Sequence, residues 1–193
     1  MPVKVAKRKP KEWYVVYAPP YLGNIPLEEI PASDPKTVIG RTYEATLFDI
    51  TQDIKYHYIH VYFKCIELED KKVKTMFKGH EIARDYLRSL TRRNTSKVDA
   101  IVDVETKDGY RLRVSATMFT VHRISTSRKS AMRKIAMAIL QQKASELRFE
   151  EFVQQMLFGK LASDIYNQAK KIAPLRKVEI RKSKLLQVPV AAS

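Results

Sequence analysis

The stretch VDAIVDVETKDGYRLRVSATMFT, Val98 to Thr120, holds two alternating runs around one Asp-Gly pair. Side chains two apart on a strand share a face. Val98, Ala100, Val102 and Val104 form an apolar row, while Asp99, Asp103 and Glu105 mark the other face. Beyond the turn, Tyr110, Leu112, Val114, Ala116 and Met118 are apolar, and Arg111 and Arg113 are basic. A two-residue Asp108-Gly109 loop would set Glu105 against Leu112 and mix the faces. A three-residue loop, Lys107-Asp108-Gly109, keeps them separate. It ends on the glycine that a type I turn with a G1 bulge requires. It also places Glu105 opposite Arg111 and Asp103 opposite Arg113, so the stretch reads as an antiparallel hairpin.

Upstream, Trp13–Tyr17 is aromatic and β-branched and reads as a first strand. Pro26, Pro31 and Pro35 make Tyr21–Lys36 an irregular connection. Val38–Ile50 reads as a second strand. Lys55–Leu68 is the clearest: Ile59, Val61, Phe63 and Cys65 form the expected core row. Its other face is a stripe of Tyr56, Tyr58 and Tyr62 with His60 and Lys64. That stripe is read as packing under helices, with base stacking as the rival use. Val73–Phe77 is placed to pair back on this strand. His80–Leu90 has helical spacing at Ala83, Tyr86, Leu87 and Leu90.

Downstream the period changes. Met132, Ile135, Ala136, Ile139 and Leu140 predict a helix over Thr126–Leu147, with Ser125, Thr126 and Ser127 as N-cap candidates. Further helices are predicted over Phe149–Phe158 and Leu161–Ile172, and a last strand over Val178–Leu186. Strands first and helices later predict an α+β fold. Its body is a curved antiparallel β-sheet or β-barrel followed by C-terminal helices. The layout is a basic arm at 1–12, a β-rich body at 13–125, a helical segment at 126–173, and a final strand and short tail at 174–193.

The chain has 193 residues, 36 Lys+Arg against 21 Asp+Glu, and a net charge of +15. A folded body with this excess calls for a polyanion, nucleic acid first. There is one cysteine, so no internal disulfide and no Cys-rich zinc site. Five glycines, no two of them suitably spaced, exclude a GxGxxG motif or a P-loop. No apolar run approaches the ~18 residues of a membrane span, and the Lys-rich start has no apolar block behind it.

The positive charge is regional. Lys4, Lys7, Arg8, Lys9 and Lys11 form an acid-free arm. Arg92 and Arg93 follow the short helix at its C-terminal end. Between Asp108 and Glu146 there is no acid, yet this stretch holds Arg123, Arg128, Lys129, Arg133 and Lys134. Cations at a helix start oppose the dipole unless an anion binds there. The C-terminal part adds Lys170, Lys171, Arg176 and Lys177, then Arg181, Lys182 and Lys184. Together these segments predict a surface that tracks RNA over many phosphates.

Enzymatic constellations are poor. His57 and His60, three apart on the strand as read, point to opposite faces and cannot chelate one metal. Asp99 and Asp103 are accounted for by the hairpin, and His80 and His122 are isolated. No catalytic residue, metal ligand or cofactor is assigned, and no small-molecule substrate is expected.

KEWYVVYAP (Lys11–Pro19), IGRTYEATLFDITQD (Ile39–Asp53), DGYRLRV (Asp108–Val114) and APLRKVEIRKSKLL (Ala173–Leu186) resemble, in order, segments of one ribosomal protein family. It is the small-subunit family shared by archaea and eukaryotes, eS-one, of the older three-a-e type. The resemblance runs from Trp13 to Gln187. It implies a barrel-like body with C-terminal helices and a seat on the small-subunit platform, near the mRNA exit and the 3′ end of the rRNA. Its implied partners are small-subunit rRNA and neighbouring small-subunit proteins, with mRNA near the exit as a further contact. It implies no cofactor, no catalysis and no membrane, and a cytoplasmic place within the ribosome. The chain stops at Ser193, at the length of archaeal members. The expected function is therefore that of a structural rRNA-binding protein of the small subunit. The alternative from the residues alone is a free RNA-binding translation factor or RNA chaperone.

Overall fold

The structure, a computed structural model, describes residues 11–189. Its strands are β1 (Glu12–Tyr17), β2 (Pro26–Ala32), β3 (Thr42–Thr46), β4 (Ile59–Glu69), β5 (Lys72–Ile82), β6 (Lys97–Glu105), β7 (Arg111–Thr120) and β8 (Leu175–Gln187). Its helices are α1 (Leu47–Thr51), α2 (Arg84–Leu90), α3 (Thr126–Glu146), α4 (Phe149–Leu157) and α5 (Lys160–Ala169).

The β6–β7 hairpin forms in the register its charges require. Glu105 lies opposite Arg111 and Asp103 opposite Arg113. Gly109, at φ 78°, occupies the left-handed position of the three-residue loop. Arg113 clasps Asp103 through Nε at 2.6 Å and Nη2 at 2.8 Å, which holds that carboxyl below its usual pKa.

The sheet runs β2-β1-β5-β8-β7-β6, with β4 on the remaining side of β5 and β3 beyond it. One edge of β5 is divided: β1 takes Lys72–Lys74 in parallel, and β8 takes Gly79–Glu81 antiparallel. Every other pairing is antiparallel. The α+β expectation holds, as a mixed open sheet; no pairing among the described residues closes it into a barrel. The last strand in sequence is a central one, inserted between β5 and β7.

The apolar rows of β6 and β7 join β4, β5 and the C-terminal helices in one core. α3 lies along β6 and α5 along β8. α3 buries Met132, Ala136, Leu140 and Ala144, a row at i, i+4 spacing that forms one face. The predicted core row of β4, Ile59, Val61, Phe63 and Cys65, is buried. Cys65 belongs to a smaller second cluster with Tyr14, Val16, Ala32, Val38 and Val73.

Several local expectations are corrected. The proline-rich connection contains β2, which among the described residues is an edge strand paired only with β1. Edge strands tolerate proline because one side of the backbone needs no partner. The strand expected over Val38–Ile50 is cut short. Thr46 and Asp49 form a reciprocal capping box that starts α1. His80–Ile82 completes β5 rather than opening a helix, so α2 begins at Arg84. His57 lies off the strand, in the turn before β4, with its Nδ1 2.8 Å from the Ile54 carbonyl. β8 and β5 both run longer than their sequence patterns indicated.

Candidate nucleic-acid interface

Three acid-free connections meet at one end of the sheet. They are the α2–β6 turn (91–96), the β7–α3 loop (121–125) and the α5–β8 turn (170–174). Buried Ser96 and Thr120 lock the first two together. The Thr120 amide donates to the Ser96 carbonyl at 3.0 Å, and the Ser96 amide donates to Thr120 Oγ1 at 2.9 Å. The Ile124 amide donates to Ser96 Oγ at 3.2 Å, and Thr120 Oγ1 donates to the His122 carbonyl at 2.6 Å. The third joins through the Val121 amide, which donates to the Pro174 carbonyl at 3.0 Å.

This frame carries eight of the cations singled out in the sequence. Arg92 and Arg93 are exposed on a turn closed by Thr95, whose Oγ1 donates to the Arg92 carbonyl at 2.6 Å. Arg123 is exposed on the second connection, and Arg128 and Lys129 stand in the first turn of α3. Lys170, Lys171 and Arg176 are exposed on and beside the third. Among the described residues none of these eight cations is in an ion pair. Ser125 is the N-cap of α3, but its hydroxyl sits 3.0 Å from that of Ser127 and no side chain caps the backbone. Free helix N–H groups and unpaired cations therefore face solvent together, which is the chemistry an incoming phosphate completes.

The remaining predicted residues are placed otherwise. Lys134 is exposed further along α3. Arg133 donates through Nε to the Asp99 carbonyl on β6 at 3.1 Å, so part of its guanidinium covers the free edge of that strand. Lys182 is paired with Glu81 at 2.7 Å. Arg181 sits half-buried at a bulge in β8. At ~3.3 Å per residue these two lie roughly 17–20 Å along β8 from Arg176. Lys11 is exposed beside β1, which β5 and β8 separate from β7. Lys4, Lys7, Arg8 and Lys9 lie outside the described residues. Lys170, Lys171 and Arg176 belong to the C-terminal basic cluster of the sequence. Their signal is a second acid-free run, and only the Val121–Pro174 bond shows that it meets the first.

The tyrosine stripe splits. Tyr58 is half-buried and stacks on Tyr86 of α2, with centroids 3.8 Å apart and planes at 14°. Burial, then Glu179, pushes its hydroxyl pKa up. Tyr56 meets Phe158 edge-on. Tyr62 remains near Glu44 and Glu81, and burial raises its pKa too. Tyr58 thus packs one ring face under α2, and Tyr56 packs against the α4–α5 corner.

His80 is fully enclosed, held between Ser183 Oγ at 2.6 Å and the Ile180 carbonyl at 2.8 Å. Desolvation lowers its pKa to about 4, which keeps it neutral. The described residues hold no cluster of three or more His, Cys, Asp or Glu able to bind a metal, and no helix long and apolar enough to cross a membrane.

Residues 3–189 match the Ribosomal S3Ae family. A small ribosomal subunit protein eS1 from Sulfurisphaera tokodaii is 50% identical over 183 residues, 95% of each chain. The eS1 of Sulfolobus acidocaldarius is 50% identical over 184 residues, 95% of this chain and 93% of its own. That of Saccharolobus islandicus is 48% identical over 183 residues, 95% and 88%. A family match across nearly the whole chain and relatives of this similarity lead to one conclusion: the chain belongs to the Ribosomal S3Ae family.

Proposed function

We propose that this protein is a structural, rRNA-binding component of the small ribosomal subunit. Its place is on the platform, near the mRNA exit and the rRNA 3′ end, among neighbouring small-subunit proteins in the cytoplasm. The observation that carries the reading is the convergence of three acid-free connections at one sheet end, with eight cations free of ion pairs among the described residues. The names of the relatives, small ribosomal subunit proteins, support the assembly it joins.

The mechanism is electrostatic and geometric. Each cation that meets a phosphate releases condensed counterions, so affinity falls with salt. The Ser96–Thr120 lock and the α3–β6 packing hold the cations at fixed spacing, so the protein binds one arrangement of the RNA backbone. Catalysis plays no part in this role.

A sucrose-gradient profile of native lysate tests it. The protein should travel with the small subunit and stay there at moderate salt. Crosslinks from Arg128–Lys134 should then map to small-subunit rRNA. A protein that stays at the top of the gradient, or leaves with slight salt, refutes the structural role.

A further inference from the structure

We infer that the cleft bounded by β4, β5, β8 and the α4–α5 corner receives a single unpaired RNA base. The inference rests on the RNA-binding reading above and adds a subsite to it. The cleft has a volume of about 410 Å³, within the roughly 300–1,000 Å³ of small-ligand sites. Its wall includes Tyr58, Phe158, Tyr166, Arg176, Lys177 and Glu179.

The base and the phosphate of a nucleotide each have a matching group. Tyr58 is fixed from behind by its stack on Tyr86, so it loses little freedom when a base arrives. Phe158 is 47% exposed at the α4–α5 corner, so its ring offers open aromatic surface in the cleft wall. Glu179 is the only acid in the wall. Its Oε1 accepts from the Tyr86 hydroxyl at 3.2 Å and lies 3.0 Å from Lys177 Nζ, so the carboxylate is anchored. A carboxylate only accepts, so it selects a base edge that donates N–H, guanine best of all. Phosphate is met outside, by Arg176, which lines the cleft and also belongs to the basic end. Lys170 of the same end stands over the Tyr166 ring at 5.9 Å. The cleft thus opens beside the surface that tracks the backbone.

The test uses the full chain and two probes at one salt concentration: a short G-containing single-stranded RNA and a blunt RNA duplex. Ser163→Trp, at an exposed position in the wall, fills the cleft. Phe158→Ala removes its exposed aromatic surface. Both variants should bind the single strand about 5- to 150-fold more weakly, the span expected for removing one base–aromatic stack, with duplex binding unchanged. Arg128→Ala should weaken both probes. Unchanged single-strand binding by both variants overturns the inference, and the cleft then serves another partner, such as a protein segment. Equal losses on both probes overturn it as well. If the parent protein binds neither probe, the RNA-binding reading itself has failed, which is a distinguishable result.

Discussion

Gly79→Ala should be among the most damaging small substitutions in this protein. A Cβ at residue 79 would lie 2.4 Å from the Ser183 carbonyl oxygen and 3.3 Å from the Lys184 Cα. Both are backbone atoms, so no side chain can swing away. Relief requires β8 to move off β5 by about 1 Å, because ordinary contact begins near 3.5–4 Å. That pairing spans only Gly79–Glu81 against Lys182–Lys184. It also holds the Ser183 hydroxyl against the His80 amide at 3.1 Å and ring at 2.6 Å. Overpacking a core costs about 1–3 kcal/mol, and stranding a buried polar partner about 1–3 kcal/mol more. The sum, about 2–6 kcal/mol, is a large share of the roughly 5–15 kcal/mol that stabilises a domain. At ~2–4 °C per kcal/mol for a chain of this size, Tm should fall by about 4–24 °C. The assay is thermal unfolding by circular dichroism. Lys78→Ala is the reference, since its exposed Nζ reaches only Thr42 Oγ1, and it should fall within about 0.5 kcal/mol of the parent. If Gly79→Ala melts with Lys78→Ala, the close approach of β5 and β8 is not what demands glycine.

Other consequences are open to measurement. His80 has its pKa lowered to about 4 by burial, against an unfolded value near 6.5. The unfolded chain therefore binds the extra proton first, and stability falls as pH drops from ~6.5 toward ~4, by up to about 3 kcal/mol. Denaturant melts across that range should show a flatter profile for His80→Gln; an identical slope would contradict the assignment. The triple variant Arg128→Ala, Lys129→Ala, Lys134→Ala should reduce the slope of log K against log salt by roughly 0.7–0.9 for each phosphate that is no longer neutralised. An unchanged slope in filter-binding titrations would move the interface elsewhere. Asp108 Oδ2 accepts from the Phe149 amide at 3.1 Å, capping α4 from the distant hairpin loop. Asp108→Ala should cost about 1 kcal/mol in urea unfolding, and Asp108→Asn should recover much of it.

Where short-range rules govern, the sequence was readable. The β6–β7 register followed from side-chain parity, one glycine and two charge pairs, all within 23 consecutive residues. α3 followed from its Met132–Ala136–Leu140 row. Three cations of the candidate interface, Arg123, Arg128 and Lys129, stand in the acid-free stretch between Asp108 and Glu146. Local competition was harder to see. Pro26 and Pro31 argued against a strand because parity cannot show that β2 lies on an edge. Thr46 and Asp49 carried a capping-box signal inside a run that otherwise alternated like a strand.

Long-range placement was not legible at all. β8 has the same alternation whether it sits at an edge or at the centre. Its place between β5 and β7 is set by contacts about 100 residues apart, such as His80 with Ile180 and Ser183. The interface has the same dependence. Each basic run announces its charge locally, because charge is a property of composition. Whether three runs form one surface depends on the Ser96–Thr120 and Val121–Pro174 bonds, and on Glu81 claiming Lys182 while Asp99 claims Arg133. Pattern along a chain determines which way a side chain faces relative to its own strand or helix. Only packing between distant elements decides what that side chain meets.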